Sequence, residues 1–375
     1  MAVIKKIEAF VFRYPLKNPV ITSFGVMDNR PMVLIKIIDN DGAEGWGEVW
    51  CNFPLTGAEH RARLIDNVFF PLLDNKKIET PNSIFEYLVK STEILSVQAD
   101  EPGPIAQCIA GIDIAINDLI AKKENIPLWK KLGGKNKVLP IYASGINPTD
   151  PVSTVKNAIK NDFKAFKLKI GFEFQKDLQN IKKIKNILSD DERLMVDANQ
   201  AWDPSEAKEN CKHLEEFNLN WLEEPILANS SLEAWINLKK EINIPLAGGE
   251  NLSGNHVFEN FLNSNVLSYI QPDIAKWGGF SKCFPLVKKI IENGNNYCPH
   301  FLGGGIGLIA STHLLSASNS SGILEVDINE NPLRSDLIGD LLFSNNGYAT
   351  LSEKPGLGYE IDWAQLRKKT LGTFE

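Results

Sequence analysis

Seven ionisable residues recur along the chain at nearly even intervals: Lys169, Asp197, Glu223, Glu250, Asp273, His300 and Glu325. Their separations are 28, 26, 27, 23, 27 and 25 residues, and six of the seven close a short apolar, β-prone run. Each interval has room for one strand, one crossover helix and two loops. That rhythm predicts a (β/α)8 barrel, in which the C-terminal ends of all strands converge on one mouth and residues distant in sequence become neighbours around one cavity.

Eight strand candidates carry the pattern, at residues 138–144, 166–170, 193–198, 220–224, 244–250, 268–273, 296–300 and 323–327. Short strands alternating with helical stretches imply parallel pairing through right-handed crossovers, and eight of them close into a barrel rather than an open sheet. The N-terminal part reads differently. Residues 3–13 alternate as a strand, 32–38 and 43–50 form a hairpin about Asp39-Asn40-Asp41-Gly42, and 64–73, 81–95 and 105–122 show helical periodicity. Residues 1–130 are therefore expected to be an α+β domain and 131–349 the barrel, with the Gly- and Pro-punctuated tail, 350–375, returning to the first domain.

Composition excludes some functions. A formal net charge of −7 argues against a nucleic-acid partner, which needs clustered Lys and Arg in excess. No apolar stretch is expected to reach the roughly 18–20 residues of a membrane span, and nothing suggests export. Five scattered cysteines without CxxC spacing suit a reducing cytoplasm better than a disulfide framework.

Asp197, Glu223 and Glu250 would stand at the ends of three consecutive strands. Adjacent carboxylates repel unless a cation lies between them, and an all-oxygen set suits Mg²⁺. Zinc is disfavoured because the five histidines include no HxH pair. His213, His256 and His313 read as structural, and His60 is a weak candidate for substrate contact. Glu224 should point to the opposite side of its strand from Glu223.

Lys167 and Lys169, two apart on one strand, share a face directed to the mouth. A second ammonium and a nearby divalent cation would depress a lysine pKa toward working pH and make it a usable base. On the opposite side, Asp273 bonded to His300 would fix the imidazole tautomer and raise its basicity. Glu325 is expected to stay protonated and donate a hydrogen bond to a developing oxyanion, with Asp327 as the alternative.

With these residues the chain resembles the enolase superfamily, in the subgroup of mandelate racemase. The likeness rests on Gly45-Trp46-Gly47-Glu48, Gly111-Ile112-Asp113-Ile114-Ala115, the Lys-x-Lys pair, Asp197-Ala198-Asn199-Gln200, Glu223-Glu224-Pro225, Gly248-Gly249-Glu250-Asn251, and Pro272-Asp273 with Gly278-Gly279. It implies a modified barrel of (β/α)7β type under a capping domain, a homo-oligomer, and removal of the proton α to a carboxylate whose oxygens lie on Mg²⁺. Carried over, Asp197, Glu223 and Glu250 hold the metal; Lys169 and the His300–Asp273 dyad face the two sides of the α-carbon; and Lys167 with Glu325 stabilises the enediolate. Lys276 is the alternative base, as in the muconate-lactonising and dipeptide-epimerising branch.

The same residues serve dehydration of an acid sugar to a 2-keto-3-deoxy acid, racemisation or epimerisation, or cycloisomerisation of a sugar lactone. Dehydration is ranked first. Candidate substrate contacts are Asn199, Ser144, Phe24, Arg30, Trp50 and Phe53, with Arg30 suited to a distal carboxylate and the aromatics to an apolar or cationic group. The glycines at 303–305 offer backbone N–H groups to a distal anion, or simply a tight turn. A metal-free Schiff-base aldolase using Lys167 or Lys169 is the rival of a different class, and it leaves the three carboxylates unexplained.

Overall fold

The computed structural model describes residues 2–22, 25–338, 343–344, 347–362, 364 and 366. The chain opens with an antiparallel sheet of β1 (Ile4–Thr22), β2 (Gly25–Asp39) and β3 (Glu44–Val49) in that order. Against it pack α1 (Gly57–Leu64), continued through a π-helical turn at Ile65–Phe69 into α2 (Phe70–Leu73); α3 (Pro81–Ala99) follows and packs on α4 (Pro102–Lys123), which itself lies against the sheet. A short helix, α5 (Leu128–Lys131), leads to the barrel.

The barrel alternates β4 (Val138–Ile146), α6 (Pro151–Lys160), β5 (Ala165–Lys169), α7 (Phe174–Lys185), β6 (Arg193–Asp197), α8 (Pro204–Leu214), β7 (Leu222–Glu223) and α9 (Leu232–Glu241). It continues with β8 (Leu246–Gly248), α10 (Asn255–Ser264), β9 (Tyr269–Ile270), α11 (Gly279–Glu292), β10 (Asn296–Tyr297), α12 (Gly305–Ser318), β11 (Leu324–Asp327) and α13 (Pro332–Ile338). A terminal hairpin, β12 (Phe343–Ser344) and β13 (Tyr348–Thr350), pairs antiparallel with the start of β4.

Strands β4 to β10 run parallel in sequence order, and β11 returns to β4 with Leu324 opposite Ile141 and Asp327 opposite Ser144. Gly322, just ahead of β11, lies so close to β10 that a Cβ there would meet the Tyr297 carbonyl oxygen at 1.8 Å. The protein is thus a capped (β/α)8 barrel, and all eight strand candidates coincide with an observed strand. Several strands end early, so that Glu250, Asp273 and His300 stand two or three residues beyond the last ladder residue. Helix starts follow local chemistry: Asp203 accepts from the amides of Ser205 and Glu206 ahead of α8, with Pro204 in the first turn, where its missing N–H costs nothing.

Two sequence expectations need correction. The first strand runs on through Pro15 and Pro19 to Thr22, because β1 is an edge strand and a proline there forfeits no ladder bond that the sheet requires. Helix α4 is long and apolar enough to cross a membrane by length and composition, contrary to the sequence reading. It is the core helix of the cap, 83% buried over its most apolar window, and packs on β3, α3 and α11. Glycine permits that packing: a Cβ on Gly47 would approach Gly111 O at 2.1 Å. The tail crosses the seam between the parts, with Leu357 N donating to Asp118 Oδ1 of α4 and Gly356 N to Ile126 O.

Candidate active site

The parallel register sets the first residues of the site side by side. Lys169 on β5 is the ladder partner of Asp197 on β6, and Asp197 that of Glu223 on β7. Lys169 Nζ donates to Asp197 Oδ2 at 2.5 Å. Lys167, fully buried, contacts Glu223 Oε1 and Glu325 Oε1, each at 2.7 Å, with Asp197 at 3.8 Å. Across the mouth, His300 Nδ1 lies 2.8 Å from Asp273 Oδ2, while Nε2 contacts Glu250 and lies 3.9 Å from Glu325. Six carboxylates (Asp197, Glu223, Glu224, Glu250, Asp273, Glu325) therefore gather around three lysines (Lys167, Lys169, Lys276) and one imidazole.

The electrostatics follow. Burial works against charge on both Lys167 and Lys169, but the surrounding carboxylates outweigh it and hold both pKa values above the ordinary lysine range. This reverses the expected depression, because carboxylates rather than ammonium groups dominate the field. Burial likewise opposes an imidazolium at His300, and Glu250, Glu325 and Asp273 raise its pKa well above normal. Glu325 also departs from expectation: against burial, Lys167 and His300 hold its pKa down at about 2, so it is an ionised acceptor here, taking Lys167, Ser144 Oγ and Phe301 N. Burial and neighbouring carboxylates push Glu223 up to about 7 and Glu224 well above its usual value.

That surplus of buried carboxylate is what a divalent cation would relieve, and the donor set at the ends of β6 and β7 and just past β8 is all oxygen, as Mg²⁺ prefers. Among the described residues no three His, Cys, Asp or Glu form a closed coordination shell. The Lys167 and Lys169 ammonium groups and the His300 imidazole instead occupy the space between the carboxylates. Glu224 does not point away from the site as the alternation of a strand requires. β7 ends at Glu223, Glu224 adopts φ +39°, and Asn251 donates to both Glu224 (2.7 Å) and Glu250 (2.9 Å).

A cavity of about 230 Å³ opens onto this ring. The cap contributes Val20, Ile21, Thr22, Trp50, Asn52 and Phe53; the barrel side includes Lys169, Asn199, Glu250 and His300. Arg30, expected at substrate, is buried against Asp327 at 2.7 Å, and Ser144 is spent on Glu325; neither lines the cavity. Phe24 falls outside the described residues. His60 pairs with Glu101, away from the cavity. Sequence reading missed Asn147, Gln200, Asn251 and Asn329 on the wall. It also missed Gln271, whose Nε2 donates to Glu223 Oε2 at 2.7 Å; its place two residues before Asp273 was the available signal.

The Gly-rich entry to α12 already has its acceptor. Glu48 of the cap accepts from Gly304 N (2.5 Å) and Gly307 N (2.8 Å), and a Cβ on Gly304 would come within 2.9 Å of that carboxylate. The distal-anion reading of residues 303–305 is thereby replaced by a tie between cap and barrel. Neighbouring ties run from Trp50 N to Ala275 O and from Asn52 Nδ2 to Leu302 O.

The capped barrel with acid–base groups on both sides of a carboxylate cluster defines an enolase-type enzyme. Residues 6–133 match the profile of the mandelate racemase/muconate lactonizing enzyme N-terminal domain, and residues 151–365 that of the enolase C-terminal domain-like family. The chain belongs to the mandelate racemase/muconate lactonizing enzyme family of the enolase superfamily. A crystal structure of a mandelate racemase/muconate lactonizing enzyme from Bordetella bronchiseptica RB50 is 45% identical over 98% of this chain and 99% of that one, with a TM-score of 0.93. Arabinonate dehydratase from Saccharolobus solfataricus is 28% identical over 88% of this chain and 89% of its own. D-galactarolactone cycloisomerase from Agrobacterium fabrum is 28% identical over 96% of each. Relatives thus include both lyases and isomerases.

Proposed function

We propose that this enzyme abstracts the proton α to the carboxylate of an acid sugar and eliminates the β-hydroxyl, giving a 2-keto-3-deoxy acid. The observation that carries the reading is the cavity wall, where Lys169 and His300 share a surface with the amides of Asn52, Asn147, Asn199, Gln200, Asn251 and Asn329. Amides offer donors and acceptors together, which suits a polyol better than an aryl group. Asn147 Oδ1 is buried without a partner among the described residues, leaving an acceptor for a substrate hydroxyl.

Asp197, Glu223 and Glu250 would hold Mg²⁺, which when bound neutralises those carboxylates and polarises the substrate carboxylate. Relieved of that field, Lys169 Nζ takes the α-proton, and the electron pair passes into the substrate carboxylate as an enediolate. Lys167 offsets the added charge. Glu325, ionised, holds Lys167 and the Phe301 amide in place rather than donating a proton. The pair then returns to form the C2–C3 double bond as the C3–O bond breaks. His300, oriented and kept protonated by Asp273, supplies the proton with which the hydroxyl leaves as water. The enol product takes up a proton at C3 to become the keto acid.

The same two groups on opposite sides also suit racemisation or epimerisation, in which His300 would return a proton to the α-carbon. Incubating hexonates and hexarates with enzyme and Mg²⁺ in D₂O separates the outcomes by mass. Dehydration predicts loss of one water with gain of one deuterium at C3; a one-unit gain without water loss points to the isomerase reading. Full turnover in EDTA would refute both.

A further inference from the structure

The strand order sets one stretch of the cavity wall opposite the carboxylates assigned to the metal. Those carboxylates stand at or just past β6, β7 and β8, and in a closed ring of eight strands the position farthest from β7 is β11, with β4 beside it. Lys169 on β5 and His300 past β10 flank the way across. A chain whose carboxylate lies at the metal and whose α-carbon lies between the two bases therefore runs on toward β4 and β11. There the cavity is lined by Gly145, Asn147 and Asn329, with Val20 and Ile21 from the cap.

Asn329 is held in one orientation. Its Nδ2 donates to Gly145 O at 2.8 Å and to Asp327 Oδ1 at 2.7 Å, and its backbone N–H donates to the same Asp327 oxygen at 3.0 Å. A flipped amide would set its oxygen against a carbonyl and a carboxylate, neither of which donates. Asp327 is fixed in turn by Arg30 and Arg334, which lie 2.7 and 3.4 Å from its other oxygen; neither guanidinium lines the cavity. Gly145 lets the amide come this close, for at φ +74° a Cβ there would stand 2.4 Å from Asn329 Nδ2. Both amide hydrogens are thus spent. Oδ1, which no donor reaches among the described residues, is the polar atom that Asn329 has left for a substrate.

Resting on the acid-sugar reading, we infer that Asn329 is a specificity-determining residue that accepts a hydrogen bond from the terminal hydroxyl of the substrate, so that the substrate is an aldonate and not an aldarate. An alcohol donates to an amide oxygen. An ionised carboxylate has nothing to donate and would set acceptor against acceptor. A methyl terminus would strip Oδ1 of solvent and give it no partner. Asn147 Oδ1, buried without a partner among the described residues, adds a second acceptor on the same stretch of wall.

The test is calorimetric titration of the Mg²⁺-supplemented enzyme with a panel of pentonates and hexonates, their terminal-deoxy analogues and the aldarates of matched configuration, alongside kcat and KM where turnover occurs. One neutral hydrogen bond predicts that the preferred aldonate binds about 5-fold tighter than its deoxy analogue, and the facing acceptors predict about 10-fold or more over the aldarate. Asn329→Ala should bring the aldonate and its deoxy analogue together in both Kd and KM. The ligand series in the native protein decides the matter even if that variant does not fold. Equal affinity across the three termini, or preference for the aldarate, would overturn the inference, as would an Asn329→Ala variant that keeps the native ratios. Failure of every ligand to bind would refute the acid-sugar reading and the inference with it. Aldonate-selective binding without water loss would leave the inference standing and refute the dehydratase reading instead.

Discussion

His313 offers a test of how the tail, the linker helix and the barrel are held together. It sits fully buried in α12, where Nδ1 accepts from Trp129 N at 2.9 Å and Nε2 faces Leu357 O at 3.1 Å. One nitrogen must therefore be bare and the other protonated, which is the neutral imidazole. Burial without a counter-charge pulls the pKa from 6.5 down to about 4. The unfolded chain binds the proton more readily than the folded one between those values. The contribution to stability is therefore complete above pH 6.5 and is lost as pH falls toward 4. The gap corresponds to about 3 kcal/mol, or roughly 4 °C in Tm for a chain of this size melting as one unit. The assay is the difference in Tm between native protein and His313→Gln, which does not titrate, measured from pH 8 to pH 4. The native advantage should shrink by about that amount on acidification. Parallel curves would show that the imidazole is not held neutral between those partners and refute the reasoning.

Glu48 is expected to show the opposite sign. Burial, with a contribution from Asp273, raises its pKa to about 7 despite the amides of Gly304 and Gly307, so its contribution is greatest below about pH 4.5 and is lost as pH rises through 7. Against a Glu48→Gln variant the native protein should lose about 3 kcal/mol over that range in chemical denaturation; because His313 runs the other way, only the difference curves expose either group. Gly47→Ala should destabilise by roughly 1–3 kcal/mol, since its Cβ must displace the Gly111 carbonyl of α4. Gly103→Ala at the second position of that helix, where a Cβ meets only Gln107 Nε2 at 3.9 Å but precedes Pro104, should change stability by less than about 1 kcal/mol. Equal melting temperatures for these two variants would contradict the close approach of β3 and α4.

The barrel was legible because each strand carries its own local signal and the repeat of strand, helix and strand fixes the parallel order. The placement of Asp197 and Glu223 followed from the same logic, since both end strands whose register is continuous. Alternation failed where strands stop: Glu224 and Asn251 lie past the last ladder residue, and their directions depend on turn geometry that period-2 reasoning does not contain. Arg30 shows a second limit. Its charge suggested a ligand, but its partner, Asp327, is 297 residues away and takes the guanidinium out of the cavity. Glu48 shows a third, for a carboxylate in a Gly-Trp-Gly-Glu strand gives no local hint that it caps a helix 256 residues downstream.

These long-range ties also divide the cap into two functional parts. The segment from Glu48 to Asn52 is bonded to Gly304, Ala275 and Leu302, in the loops that carry His300 and Asp273, and to Gly307 in the first turn of α12. It therefore borders the substrate cavity and braces the dyad with the same backbone. The end of β1, which brings Val20 and Ile21 to the opposite lip, pairs with β2 instead. Substitutions at residues 20 and 21 can reshape the cavity without moving a base, whereas substitutions in 48–52 change selectivity and His300 geometry together. The Lys276–Trp50 contact falls within the 48–52 segment, and Lys276 N is bonded to Asp273, so a change at residue 50 reaches the dyad through the cavity wall as well as through the backbone.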